Sequence, residues 1–291
     1  VISGSTVAQS LLSGVLEGTD YALYSLGLAF VFGILRIINL AHGEVVVLGG
    51  YVAYWMLVKF GIGPLAALPL AALAGAAVGL ASYRVFLRNV RAAPELNTLI
   101  LTFGIGIFLA NLFLQMWSGD LRSIEVEWLQ EPLSLGPIRV SAGELVAFAV
   151  SIAAVLGLQA FLARTRMGKA IRVTAIDRDS ASLAGIDVER VDWAAFTVGG
   201  MLAGVAGPLL GVLAHVSPGA GAPLTIKAFI LTVLAGIGSI PGLVVAGVIL
   251  GVGEAMTVTF ASSSYRELFG FGLFLLILLV RPTGLFGKAH A

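Results

Sequence analysis

The chain has 291 residues, 58% of them hydrophobic and only 11% charged, with 17 lysines and arginines against 16 aspartates and glutamates. Soluble domains carry about 25% charged residues, so this composition suits a surface that meets hydrocarbon rather than water. A net charge of +1 gives no electrostatic footprint for nucleic acid, and the absence of cysteine excludes disulfides, thiol catalysis and cysteine-ligated metals.

In chain order, continuous apolar runs predict spans at about 11–35, 43–60, 64–86, 96–117, 141–162, 193–215 and 268–280. The longer runs reach the roughly 20 residues needed to cross about 30 Å of hydrocarbon. They do not alternate, so helices rather than a barrel satisfy the backbone. No charged stretch with a cleavable apolar run precedes the first span, which is expected to serve as the insertion signal. Residues 226–260 differ. They contain Gly236, Gly238, Pro241 and Gly242 within eight positions, which no straight helix tolerates. The limbs, about 14 and 18 residues, are short for full crossings. The predicted fold is therefore an all-α integral membrane protein, one transmembrane domain over 1–291. It has about seven full transmembrane helices plus a broken, re-entrant helical hairpin. Such breaks line protein or a water-filled cavity, so Gly236 and Gly238 become candidates for a translocation path.

Basic residues orient the spans. Arg84, Arg88 and Arg91 form one cluster, and Arg164, Arg166, Lys169, Arg172, Arg178 and Arg190 a second, with Arg281 and Lys288 in the tail. The opposite loops hold Lys59, Arg122, Arg139 and Arg266 beside Asp120, Glu125, Glu127 and Glu131. This predicts an outside N-terminus and a cytoplasmic C-terminus, provided 226–260 enters and leaves on the outer side. Residues 120–140 are too polar to span. Trp128, Leu129, Leu133 and Leu135 suggest that this segment lies along the outer, periplasmic interface.

The longest cytoplasmic stretch is 164–192. Arg166–Ile176 can extend the preceding span, Asp177 or Asp179 can cap a short second helix, and Gly185 suits its C-terminal turn. Charge alone would make this a solvated loop that fixes topology. Two capped helices with Ala181 and Leu183 at an apolar tip fit a docking surface instead.

Asn39, His42 and Glu44 form the densest polar group beside a span. They are expected near the cytoplasmic ends of their helices, capping 43–60 or forming an inner gate. No second histidine lies at ligand spacing from His42, which excludes a metal site of that kind. Glu17 and Asp20 share a helix face above Tyr21. They are either solvated at the outer interface or an acidic lining suited to an amine. Glu254 is open to the same two readings. Asn111, Gln115 and Gln159 are expected to bond across helices, and Lys227 to snorkel to the interface. Gly75, Ala76, Gly79, Gly104, Gly106, Gly199, Gly200, Gly204, Gly207, Gly247 and Gly251 predict close helix contacts. There is no GxxxxGK[ST] phosphate loop; Gly284-Leu285-Phe286-Gly287-Lys288 lacks its spacing and hydroxyl. Energy comes from another polypeptide, or the protein is a stand-alone secondary transporter or channel. An intramembrane enzyme using His42 and Glu44 is a further alternative.

Several motifs resemble one family in order along nearly the whole chain. They are Tyr21-Ala22-Leu23; Ile38-Asn39-Leu40-Ala41-His42-Gly43-Glu44; Arg164-Thr165-Arg166-Met167-Gly168-Lys169-Ala170 through Leu183-Ala184-Gly185-Ile186; Gly236-Ile237-Gly238-Ser239-Ile240-Pro241-Gly242; and Arg281-Pro282-Thr283-Gly284-Leu285-Phe286-Gly287. The chain resembles the branched-chain amino acid and urea/amide family of ABC-transporter permeases, in particular its LivH-like members. Glu17 and Asp20 depart from the apolar or hydroxylated residues expected there. The resemblance implies a translocation subunit of a bacterial inner membrane importer for an amino acid, urea or an amide, with no catalytic residue, cofactor or metal of its own. It implies that a loop comprising Arg172, Asp177, Ala181, Leu183, Gly185 and Ile186 docks on a cytosolic ATPase. The implied partners are two ATP-binding subunits carrying ATP and Mg, a LivM-like second permease, and a periplasmic or lipid-anchored solute-binding protein. Candidate path or gate residues are Glu17, Asp20, Tyr21, Asn39, His42, Glu44, Gly236, Gly238 and Glu254.

Overall fold

Lipid offers the backbone no hydrogen-bond partners, and the chain meets this constraint with helices. The computed structural model describes residues 3–90, 94–136 and 138–287, so Arg91 and Lys288 of the basic clusters lie outside the described residues. In chain order it contains α1 (Gly4–Leu35), α2 (His42–Phe60), α3 (Pro64–Val90), α4 (Glu95–Trp117) and the single turn α5 (Glu127–Gln130). A hairpin of β1 (Pro132–Leu135) and β2 (Ile138–Ser141) follows, then α6 (Ala142–Arg164), α7 (Arg166–Ile176) and α8 (Arg178–Leu183). The remainder is α9 (Val188–Leu213), α10 (Gly221–Ala235), α11 (Ile240–Phe260) and α12 (Arg266–Val280), the last preceded by one 3₁₀ turn. Among the described residues, eight helices are long and apolar enough to cross a membrane, counting α12 with its 3₁₀ turn as the 18 residues Ser263–Val280, and α10 is a shorter apolar helix of 15 residues.

Glycines set how the bundle closes. Gly18 faces Gly247 and Gly14 faces Val252, which runs α11 antiparallel along α1. A Cβ on Gly200 would lie 2.3 Å from the Gly75 carbonyl, and one on Gly204 2.2 Å from that of Ala71, so α9 packs backbone to backbone on α3. Gly207 meets Gly50 in the same way, joining α9 to α2. Gly104 is the exception to the expected close contacts, with nothing within 4 Å.

The broken hairpin is α10, the turn at Gly236–Ser239, and α11. Gly236 has φ +92 and its Cβ would fall 2.3 Å from the Gly287 nitrogen, so both conformation and space require glycine there. Residues 285 and 286 donate to the carbonyls of Leu234 and Ala235, clamping the tail onto this turn. Gly33 of α1 lies beside Gly238. The break therefore sits at the end of the bundle where α1 finishes, and only its first limb is short. The second, α11, is a 21-residue helix, long enough to cross, packed along about two thirds of the 32-residue α1.

The segment 120–140 is a small cap at the end where α1 begins: Arg139 bonds Gln9, and Arg122 pairs with Val216. Its strands pair from Pro132↔Ser141 to Leu135↔Ile138. Trp128 and Leu133 are half exposed as an interfacial segment requires, but Leu129 is buried beneath the cap. Asn111 bonds the Ile107 carbonyl of its own helix rather than reaching across, because its face of α4 is exposed.

Candidate functional site

Three polar groupings stand out against the apolar bundle. The first is the α7–α8 hairpin, which projects beside the end of α1. Thr165 has φ −89 and ψ 153, so α6 stops there; its hydroxyl accepts from the Gly168 amide at 2.9 Å and starts α7 as a separate helix, not the continuation expected from sequence. Asp177 caps α8, accepting from the amides of Asp179 and Ser180 at 3.0 and 3.1 Å. Gly185 takes the left-handed conformation, φ +81, and Ile186 donates back to the Ala181 carbonyl. This closure turns Ala181 inward: it is buried and is no part of an exposed tip. The apolar tip consists instead of Ile176 and Leu183, 88% and 90% exposed on either side of Asp177, with Arg172 exposed on the same element. Arg178 anchors the hairpin. Its Nη2 reaches both oxygens of the fully buried Asp192 at 2.6 and 2.8 Å, and the Tyr83 hydroxyl lies 3.3 Å from Oδ2. A π-helical turn at Ser82–Leu87 aims Tyr83 into that contact.

The Ser180 hydroxyl, with the Ser180 and Asp179 amides, holds the Asp177 carboxyl below the usual carboxylate range. A depressed folded-state pKa means that this cap stabilises α8 above the unfolded carboxyl value near 3.8 and is lost as pH falls through the folded value. Amide exchange of Ala181 and Ala184, whose donors complete α8, is expected to stay slow relative to its intrinsic base-catalysed rate at neutral pH and to lose that protection only below about pH 4. Asp177→Ala is expected to accelerate it at every pH, while Asp177→Asn, still a capping residue, retains most of the protection. A protection factor that did not change with pH in the wild type would remove the carboxylate from this role.

The second grouping lies deep in the bundle. Beyond Leu35 the chain takes a left-handed turn at Arg36, φ +59, and climbs back among the helices. His42 donates from Nε2 to the Tyr24 carbonyl, 2.7 Å, placing the start of α2 about 16 Å from the end of α1 at 1.5 Å per residue. The expectation that His42 and Glu44 lie near the cytoplasmic ends of their helices is thus overturned; both are buried well inside the bundle. Asn39 makes a local turn, accepting from the Ala41 amide. The start of α2 is capped from other helices: Thr225 accepts from the Gly43 amide at 2.8 Å and Thr102 from that of Leu40 at 3.2 Å. The first residue of α10, Gly221, packs on Gly43 and on the Glu44 carboxylate. Two helix N-termini, those of α2 and α10, converge on that side chain. Among the described residues its Oε2 has no hydrogen-bond partner.

The third grouping joins four helices toward the end where α1 begins. Glu254 on α11 is fully buried; its Oε2 accepts from the Tyr21 hydroxyl and from Arg266 Nε, each at 2.9 Å, and it pairs with Lys227 at 3.2 Å. Arg266 also binds Glu17 and donates to the Tyr21 oxygen. Lys227 stands 4.2 Å above the Tyr21 ring rather than snorkelling outward. Glu17 and Asp20 do not form one acidic face: Glu17 turns to Arg266, and Asp20 is buried against Ser151 on α6, 3.3 Å. Among the described residues no group of three or more histidines, aspartates and glutamates is arranged to hold a metal.

These groups define a membrane bundle with a projecting hairpin and two buried polar clusters, and sequence comparison decides the family. A family model described as the permease component of the branched-chain amino acid transport system matches residues 10–279. The chain belongs to that permease family. This permease is 37% identical over 295 residues to the LivH high-affinity branched-chain amino acid transport system permease protein of Salmonella typhimurium, covering 96% of this chain and 95% of that one. It is 35% identical to BraD of Pseudomonas aeruginosa, with the same coverage, and 26% identical to a probable LivH of Methanocaldococcus jannaschii, covering 99% and 92%. A chain of PsaBC from Streptococcus pneumoniae, solved in complex with a Fab, shares its fold at TM-score 0.51 and 14% identity, covering 95% and 94%.

Of the residues singled out from sequence, the permease brings Glu17, Tyr21 and Glu254 into one cluster and holds His42 and Glu44 close to Tyr24 and Gly221. Gly236 and Gly238 stand apart at the opposite end. Sequence reading missed Lys227 and Arg266 as the counter-charges, Thr102 and Thr225 as caps, and Arg178 as the hairpin's anchor. The threonines cap segments 62 and 182 positions away, and the ion pairs, though some join residues only 12 to 27 apart, link different helices whose packing no local pattern gives. A cation near a span that must cross apolar surroundings was the one signal available for the first two.

Proposed function

We propose that this permease is the translocation subunit of an ABC importer in the cytoplasmic membrane, carrying an amino acid with a branched aliphatic side chain. Energy enters through separate ATPase subunits that dock on the α7–α8 hairpin. The observation that carries this reading is the pair Ile176 and Leu183, the last residues of α7 and α8, almost fully exposed on a hairpin whose Arg178 is bound to the buried Asp192 at the foot of α9. Exposed aliphatic side chains on a rigid mount cost solubility and fit a groove on a soluble partner. Movement of that groove would be passed to α9, and so to α2 and α3, which pack on it through glycine. The basic residues of this end support a cytoplasmic location for it, with the N-terminus of α1 outside. The names of the relatives support the substrate class; a solute-binding protein and a second permease of LivM type complete the assembly. Alternation between outward- and inward-open states needs contacts that differ between them, and the hairpin is where nucleotide state would bias that balance.

The test is co-purification from native membranes in mild detergent. Wild-type chain is expected to bring down nucleotide-binding subunits, and Leu183→Asp to lose them while eluting as the same folded species. Recovery of a homogeneous oligomer free of any ATPase would favour a stand-alone transporter.

A further inference from the structure

Beside the charged cluster, α10, α11 and α12 enclose a pocket of about 210 Å³. Its walls include Ile230, Leu250 and Phe271, and its polar edge is Lys227, Glu254 and Glu267. At about 30 Å³ per water this is the volume of roughly seven waters, a single small solute. The polar edge is unequally charged. Glu254 is already shared among Lys227, Arg266 and the Tyr21 hydroxyl, whereas Glu267 has no ion-pair partner among the described residues and stands exposed at the rim. Lys227 has three N–H donors and a single carboxylate neighbour, so donors remain for a second anion.

We infer that this pocket is a binding site for one zwitterionic amino acid with an aliphatic side chain. Its ammonium meets Glu267, its carboxylate meets the free donors of Lys227, and its side chain lies against Ile230, Leu250 and Phe271. Both charges of the solute then find opposite charges at the edge of a largely apolar site, the geometry in which charge-assisted hydrogen bonds are strongest. A lipid headgroup matches less well, because its phosphate asks for an excess of cations and this edge has two carboxylates to one ammonium. The site deepens the reading of the chain as an amino-acid permease and rests on it: it gives the membrane subunit its own selectivity for the solute.

The experiment measures leucine binding to the purified full-length chain in phosphatidylcholine nanodiscs. Two variants alter the site at positions exposed enough to spare the fold: Glu267→Gln removes the unpaired charge, and Ile226→Trp, at a wall residue 49% exposed, fills the pocket. Glu125→Gln on the distant cap is the control. Wild type and control are expected to bind leucine alike, Glu267→Gln to bind at least about tenfold more weakly, and Ile226→Trp not at all, with melting temperatures unchanged. Equal leucine binding by wild type and both site variants overturns the site. So does a binding signal that follows added phosphatidylethanolamine rather than leucine. Leucine uptake by the assembled transporter in membrane vesicles separates the two levels: uptake without binding at this pocket sinks the site and leaves the permease reading intact, while the absence of uptake of any amino acid sinks both.

Discussion

Glu254→Ala is expected to destabilise the bundle by about 3 kcal/mol, the lower end of the 3–5 kcal/mol typical of removing one partner from a buried ion pair. The lower end applies because Lys227 and Arg266 keep side-chain exposures of 26% and 33%, so water relieves part of their loss. Glu254 itself is fully buried and is the one residue that touches Tyr21, Lys227 and Arg266 together. Its removal takes the buried carboxylate from two cations on α10 and α12, of which Arg266 keeps Glu17, and leaves α1 tied to α11 through the Ser10–Thr259 hydroxyl pair without the charged link. Unfolding titrations in mixed micelles would measure the cost. Glu254→Leu combined with Lys227→Met should recover much of it, since Arg266 retains Glu17 and the removed pair is replaced by apolar volume. A double-mutant cycle isolates the coupling. Equal stability of Glu254→Ala and wild type would mean that the cluster is solvated in the membrane and holds nothing together.

That cluster also marks the limit of what the sequence made legible. Span number and the cap over 120–140 follow from hydropathy, a local property, and the broken hairpin from Gly236 and Gly238, whose backbone demands are local too. The depth of a segment within the bundle is not local. His42 and Glu44 follow the first span closely in sequence, and by order alone belong near its end. They are drawn about 16 Å inward because Thr102 and Thr225 supply caps there and Gly221 leaves room for a carboxylate. Charge pairing is equally remote. The partners of Glu254 and Glu17 include residues 233 and 249 positions away, and no periodicity within one helix foretells them. The hairpin α7–α8 was readable down to its cap and its glycine, because both are local backbone requirements. The side on which Ala181 faces was not, because that depends on how the hairpin folds back on itself.

Glycine contacts supply the second large effect. Gly207→Ala would place a methyl 2.2 Å from the Gly50 nitrogen and 2.3 Å from the Val46 carbonyl. Ordinary carbon contacts begin near 3.5 Å, so α2 and α9 must separate by an ångström or more. Both neighbours are backbone, and no side chain can rotate away. The expected loss is about 3 kcal/mol, at the upper end for overpacking, and it includes the weak Cα–H···O contacts that close approach allows. Gly104→Ala is the matched control. Nothing lies within 4 Å of its added methyl, and alanine exceeds glycine in a helix by about 1 kcal/mol, so this variant should be neutral or slightly more stable. Thermal unfolding of the two in one detergent separates packing from propensity, since both exchange the same atoms within a helix. If Gly207→Ala melted with the wild type, the α2–α9 contact would be loose enough to slide without cost. The route by which hairpin movement reaches the buried Glu44 would then have to run through α1, which meets α9 at Gly27 and Gly199.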